Sequence, residues 1–166
     1  MKRPTRGAIE PVTTGQKLAF ATYIPYLVNR AAAAMVGFAS ASFAEHGVTV
    51  PMWRVLFLLW ERETCRFGTM SELTSIGPAT LSRLTASMEE ERLILRTRVL
   101  SDTRVLDLRL TRKGRQLIET MLPVAVEMND IYLEGVSVED QTVLHRTLAR
   151  IHENVARATA RSERRA

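Results

Sequence analysis

Residues 73–110, LTSIGPATLSRLTASMEEERLILRTRVLSDTRVLDLRL, run from a short helical pattern straight into an alternating, basic one. The helix is expected to start at Pro78, because proline suits a first helical position whose N–H has no partner, with Gly77 as its cap. Leu81, Leu84, Met88 and, by extension, Leu93 fall near one stripe of a period of about 3.6 residues and should face a core. The other side carries Ala79, Ser82, Arg83, Ala86 and Ser87, with Thr80 near the helix start. A solvated helix face usually carries more Lys and Glu. Small and hydroxylic side chains around one arginine let a backbone come close to another surface. From Leu95 to Leu110 the period becomes alternating: Arg96 and Arg98 flank Thr97, and Val105, Asp107 and Arg109 alternate with Leu106, Leu108 and Leu110. Ser101, Asp102 and Thr103 supply turn chemistry, so this segment reads as a β-hairpin with an apolar side and a basic tip.

Upstream, Gly47 ends one helix and Thr49 caps the next, with Pro51 in its first turn. In PMWRVLFLLWER, Val55, Leu56, Leu59 and Trp60 are candidates for the interior, while Arg54, Glu61 and Arg62 stay wet. ETCRFG, residues 63–68, reads as a short extended connection. TMSELT follows as a brief helix with Met70 and Leu73 inward, and Ser75, Ile76 and Gly77 link it to the helix at Pro78. Two short helices joined by a tight turn make a helix-turn-helix. A basic hairpin directly after it is then a wing.

The 166 residues suit one domain, or one compact domain with extra helices for association. Hydrophobic content of 46% with 25% charged residues argues against wholesale disorder. No apolar run near about 18 residues stands out to suggest a membrane span, and the basic opening MKRPTRGAIEPVTTG lacks the apolar core of a secretory signal and reads as a flexible arm. A cytoplasmic location is expected. The single cysteine, Cys65, excludes an intrachain disulfide and a thiolate-rich zinc site. The formal charge is +5, and residues 78–115 hold nine Arg or Lys against five carboxylates, so nearly all of that excess is concentrated there. Such a concentration is the footprint of a phosphate-binding surface.

Two flanking regions read as long helices. The first runs from about Tyr23 or Pro25 to Glu45, with Leu27, Ala31, Met35 and Phe38 at helical spacing and few charges, so burial on more than one side is expected. After the hairpin, Thr111 should cap a helix striped by Leu117, Ile118, Met121, Ala125, Met128 and Tyr132, kinked at Pro123 and ended by Gly135. Ser137 and Asp140 then open a last helix in which Leu144, Leu148, Ile151, Val155 and Ala158 recur at spacings of four and three. That seam needs a partner helix.

Three stretches together, VTVPMWRVLFLLWE, ELTSIGPATLSRL and DTRVLDLRLTRKGR, resemble the MarR family of winged helix-turn-helix regulators. The resemblance covers roughly residues 22–160, and the Asp102-x-Arg104 pattern before a Leu-rich strand and Thr-x-x-Gly is its most specific part. It implies a mainly α fold with a small β-wing: an arm over residues 1–21, a dimerisation helix over 22–48, a DNA-binding domain over 49–112 and C-terminal dimerisation helices over 113–166. It further implies a two-fold dimer, a repressor on a pseudo-palindromic site in double-stranded DNA. Carried onto this chain, Pro78, Ala79, Thr80, Ser82, Arg83 and Ser87 form the DNA face of the recognition helix, with Thr80, Ser82 and Arg83 at the major groove. Arg104 reaches from the wing tip, with Asp102 orienting an arginine, and Arg96 and Arg98 meet phosphates. Glu89, Glu90 and Glu91 make the end of that helix unusually acidic and should point away from phosphate or pair with neighbouring arginines. Family members respond to small aromatic or phenolic ligands between the dimerisation helices and the winged domain, where this chain offers Tyr26, Arg30, His46 and Trp53.

No Gly-rich phosphate loop, nucleophile motif or metal-ligand spacing is present, and His145 and His152 lie seven residues apart on one helix, too far for one compact metal site. An enzyme is therefore not expected, and neither is a cofactor or a metal. The competing expectation is a helical protein-interaction module in which the Leu144–Ala158 seam is the function and the basic hairpin incidental.

Overall fold

The structure, a computed structural model, describes residues 20–99 and 102–164, and for Ala21, Val99 and residues 102–105 the backbone alone. Most of the expected arm, residues 1–19, and Ser101 in the hairpin turn lie outside the described residues. The chain divides into two compact units, Met1–Val50 and Pro51–Ala166.

In the first unit a short 3-10 turn, Phe20–Thr22, leads into α1, Ile24–Ala44. Alanine-rich sequence favours the helix intrinsically, and Pro25 sits at its start, where no N–H is needed. Gly47, with φ of 67°, ends it: the Val48 N–H returns to the Phe43 carbonyl at 3.1 Å and the Gly47 N–H to Ala44 at 3.0 Å. That closure requires a left-handed residue, which glycine adopts without a Cβ penalty. Phe43 and Val48 beside it are buried. The rest of α1 keeps its apolar face, expected to pack on a helix of the same or a second chain, open among the described residues. Ile24, Val28, Met35, Val36 and Phe38 are all exposed, and only Ala39 and Phe43 are buried along its length. By length and composition alone α1 is apolar enough to cross a bilayer, with a window hydropathy of 1.2. The Ala31–Ala34 block is what carries the window over, and a scan for large apolar residues passes it by.

The second unit begins within α2, Val50–Arg62, whose Met52, Val55, Leu56, Leu58 and Leu59 are buried. Trp60 is 37% exposed instead of interior, because it stacks outward along Phe57. The expected connection contains a real strand, β1 (Thr64–Arg66), and α3 starts directly after it, Phe67–Thr74. Met70 is buried as expected, whereas Leu73 is 50% exposed and Thr74 takes the inward place. Thr74 tolerates burial because its Oγ1 donates to the Met70 carbonyl at 2.6 Å. The turn is closed by Ser75 in the left-handed region and by the Ser71 hydroxyl, which donates to the Ile76 carbonyl at 2.7 Å.

Helix α4, Pro78–Glu90, opens on Gly77 as expected. Its core stripe is Leu81, Thr85 and Met88, with Leu84 only half-buried. Strands β2, Ile94–Val99, and β3, Asp102–Leu110, pair antiparallel, and β1 adds on the far side of β3, giving the order β1-β3-β2. The register couples Arg96 to Leu108 and Arg98 to Leu106, then shifts before Val99, which faces Asp102. Ile94 and Leu108 supply the buried face of the sheet. Helix α5, Arg112–Tyr132, runs through Pro123 as one element. It is capped by Thr111, whose Oγ1 accepts the Gly114 N–H at 3.0 Å. Helix α6, Val138–Glu163, opens on Ser137, whose Oγ accepts the Asp140 N–H at 3.1 Å, and it has no buried residue at all.

The α4–β2 junction carries a testable strain. Arg92 has φ of 61°, its N–H returns to Glu89 at 2.8 Å and the Leu93 N–H to Met88 at 2.8 Å, which is the glycine-favouring helix stop occupied by an arginine. Arg92→Gly is expected to stabilise the chain by about 1 kcal/mol by relieving the left-handed Cβ penalty. The measurement is the denaturant midpoint at unchanged slope.

Candidate nucleic-acid interface

The exposed side of α4 carries Pro78, Ala79, Thr80, Ser82, Arg83 and Ser87. None of these is needed in the core, since Leu81, Thr85 and Met88 fill the opposite stripe. Pro78, Ala79 and Ser82 line a cleft of about 670 Å³ together with Arg66, Arg96 and the start of α3. The structure thus brings the beginning of α4, the strand residue Arg96 and the unanticipated Arg66 to one concave surface. Arg66 escaped notice in the sequence because its place is set by β1 pairing with β3, Arg66 opposite Asp107, across a separation that local periodicity cannot see.

Two hairpin arginines behave differently. Arg98 is exposed. Arg96 is engaged by Glu89, whose Oε1 accepts the Arg96 backbone N–H at 3.1 Å and whose Oε2 lies 3.8 Å from Nε. An exposed pair of this kind contributes little stability, but it turns one of the acidic residues at the end of α4 onto an arginine, as the charge argument required. Glu91 accepts from the Ser87 hydroxyl through its own carboxylate at 3.2 Å. Arg104 and Asp102 lie on β3, and their side chains are outside the described residues.

The carboxyl end of α4 is finished by α5. Lys113 Nζ donates to the Glu91 carbonyl at 2.8 Å, the Thr111 hydroxyl to Arg92 at 2.6 Å, and the Thr111 N–H to Leu93 at 3.0 Å. The carbonyls of the C-cap residue of α4 and of the two residues after it are therefore all satisfied by one neighbouring turn. At the other end of the helix-turn-helix, Arg54 from α2 donates to the Thr74 carbonyl at 3.3 Å, placing a cation at the C-terminus of α3, where the helix dipole favours it.

The four candidate ligand residues are distributed over the two units. Tyr26 and Arg30 lie on α1 and His46 in the turn after it. Tyr26 is already in ring contact with Phe20, centroids 3.7 Å apart. Trp53 lies on α2 in the second unit, half-buried, stacked on Phe57 at 5.3 Å. It lines a cavity of about 390 Å³ that also has Arg54, Phe57 and Leu73 in its wall, three residues the sequence reading did not single out for this role. Cys65, in β1, is buried, and burial pushes its thiol above the ordinary value, with Arg62 opposing and Asp107 adding to the shift. A thiol held protonated in this way is poorly suited to react as a thiolate.

A helix-turn-helix followed by a paired basic hairpin defines a winged helix-turn-helix domain. The MarR family model matches residues 48–106. Among curated proteins, the organic hydroperoxide resistance transcriptional regulator of Bacillus subtilis (strain 168) is 34% identical over 77 residues, covering 46% of this chain and 52% of that protein. The chain thus matches about half the length of that relative. Among solved structures, a MarR family transcriptional regulator from Silicibacter pomeroyi DSS covers 87% of this chain and 99% of its own, with TM-score 0.76 and 18% identity. Bordetella bronchiseptica BpsR, whose DNA binding is regulated by 6-hydroxynicotinic acid, covers 78% of this chain and 98% of its own, with TM-score 0.71 and 21% identity. Over residues 48–106 the match and the fold are those of a MarR-type winged helix-turn-helix.

Proposed function

We propose that this chain is a dimeric, cytoplasmic, sequence-specific DNA-binding repressor, and not an enzyme. It binds a pseudo-palindromic operator, with residues 49–112 reading DNA and residues 22–48 and 113–166 joining two copies. The observation that carries the reading is the α4 face: small, hydroxylic and exposed around Arg83, at the end of a helix-turn-helix and beside a basic hairpin. Thr80, Ser82 and Arg83 read base edges, Arg98 and Arg104 hold phosphate and the minor groove, and Arg66 joins them from β1. Arg96 contributes through the guanidinium nitrogens that Glu89 leaves free. The helical interaction module explains α6 equally well but leaves the basic hairpin without a role.

A small aromatic or phenolic effector suits the same reading. The cavity at Trp53 falls within the size range of small-molecule sites, about 300–1,000 Å³, and Trp53 and Phe57 offer it an aromatic wall with Arg54 as a cation. Tyr26, Arg30 and His46 are proposed as further ligand-binding residues. Ligands of this class regulate BpsR. An effector acts only by binding one dimer geometry better than another.

The test is selection from random duplexes at moderate salt, followed by two variants. Arg83→Ala should cost about 1–3 kcal/mol on the selected site and relax preference at one base position, as expected for loss of a guanine contact. Arg104→Ala should weaken all duplexes alike and make log K against log salt shallower by about one. Failure to enrich any sequence at all would remove the regulator reading.

A further inference from the structure

We propose that Thr111 and Lys113 are positioning residues for the reading helix: by capping α4 from the first turn of α5 they fix the angle between the two helices, and through it the half-site spacing the dimer accepts. The inference deepens the DNA-binding reading and rests on it. Within α4 itself the carbonyls of Met88 and Glu89 are finished by its own following turn. Beyond them Glu91, Arg92 and Leu93 are held from outside: each gives its carbonyl to α5 or its cap, at 2.8, 2.6 and 3.0 Å, from an ammonium, a hydroxyl and a backbone N–H pointing in different directions. Three donors of different reach on three consecutive acceptors leave little freedom to swing or slide. The left-handed turn at Arg92 is what aims those carbonyls at α5. Gly114 presses the backbones together, since any side chain there would enter the Leu93 carbonyl. The opposite flank of the same helix end is tied to β2 through Glu89 and the Arg96 N–H.

The consequence for reading is geometric. In the proposed dimer α5 belongs to the joining part and α4 to the reading head, so the α4–α5 angle sets how far apart, and at what rotation, two heads present themselves. One base pair added between half-sites turns them by about 34° relative to each other. A rigid clasp rejects such a site; a loose one follows it.

Thr111→Val removes the hydroxyl and keeps the N–H, Lys113→Met removes the ammonium and keeps the stem, and Thr111→Ser is the conservative rescue. Nitroxide labels at Thr80 and Glu119, in a Cys65→Ala background with labelled chain diluted into unlabelled chain, report the α4–α5 distance directly. The Thr111→Val, Lys113→Met double variant should show a clearly broadened distribution, and Thr111→Ser the parental width. An unchanged width in the double variant overturns the proposal. In the DNA arm, the selected operator is compared with copies one base pair longer and shorter between half-sites. The parent should discriminate by about tenfold or more, on the scale of a site mismatch, and the double variant by less than about threefold. A uniform loss on all three duplexes, with discrimination intact, assigns the clasp to stability alone and also overturns the proposal. If the parent prefers no duplex, the DNA reading fails, and the label distances still decide whether the clasp holds the angle.

Discussion

Gly114→Ala is expected to be among the most damaging single-methyl changes in this chain, lowering stability by at least about 3 kcal/mol, the upper range for forced overpacking, and the melting temperature by roughly 6–12 °C. The reason is where a Cβ would go. It would lie inside contact distance of the Leu93 carbonyl oxygen, 2.9 Å from the carbonyl carbon and 3.2 Å from Leu110 Cδ2. The first two are backbone atoms at the strained α4–β2 stop, so no rotamer change relieves the clash. Moving α5 away instead would lengthen the bonds from Thr111 and Lys113 to the α4 carbonyls. Gly68→Ala is the control. Position 68 is in α3 with nothing within 4 Å of an added Cβ, and alanine there should be neutral or stabilising by up to about 1 kcal/mol. Thermal melts of both variants decide the matter: equal effects would mean that the close approach at Gly114 is not under compression.

The contrast between these two glycines shows what local sequence can and cannot convey. Helix periods exposed most of the second unit's core, because Leu81, Met88, Val55, Leu56 and Leu59 repeat on one side and are buried as the period requires. Two of the misplaced core positions share one cause, a polar side chain whose hydroxyl finds a carbonyl within its own helix. Thr85 donates to Ser82 at 3.2 Å and Thr74 to Met70 at 2.6 Å, so both enter the core, and Leu73, one position before Thr74, turns outward. Strand β1 was hidden because three residues have no period and their partner, β3, lies some forty residues on. The candidate interface was legible where it depends on one helix, Arg83 and its neighbours, and illegible where it depends on several elements meeting. Arg66 enters through β1, and the hold of Glu89 on Arg96 depends on the sharp stop at Arg92. The long helices are a third case. Their patterns were plain, but among the described residues most of α1 and all of α6 are exposed along the faces those patterns define.

That uncovered seam leads to the second large effect, a charge placed in the middle of α6. Leu148→Glu is expected to give a monomer at micromolar concentration and to weaken operator binding by about 100-fold or more, the scale by which linking two heads raises affinity. Leu144, Leu148, Ile151 and Val155 are 48%, 41%, 37% and 60% exposed and lie along one stripe of a helix with no buried residue. Burying each such side chain is worth about 1.5–3 kcal/mol, and a two-fold interface counts each position twice. A carboxylate at position 148 would have to be desolvated in both copies, a cost that apolar packing does not return. Within a single chain the same substitution puts a charged side chain at an already exposed place, so helix content should be unchanged. Sedimentation or light scattering gives the mass, circular dichroism the fold, and duplex titration the affinity. Dimeric mass retained with full operator binding would show that α6 does not join the copies. Monomeric mass with affinity preserved would show that one reading head suffices, and the pseudo-palindromic operator would lose its basis.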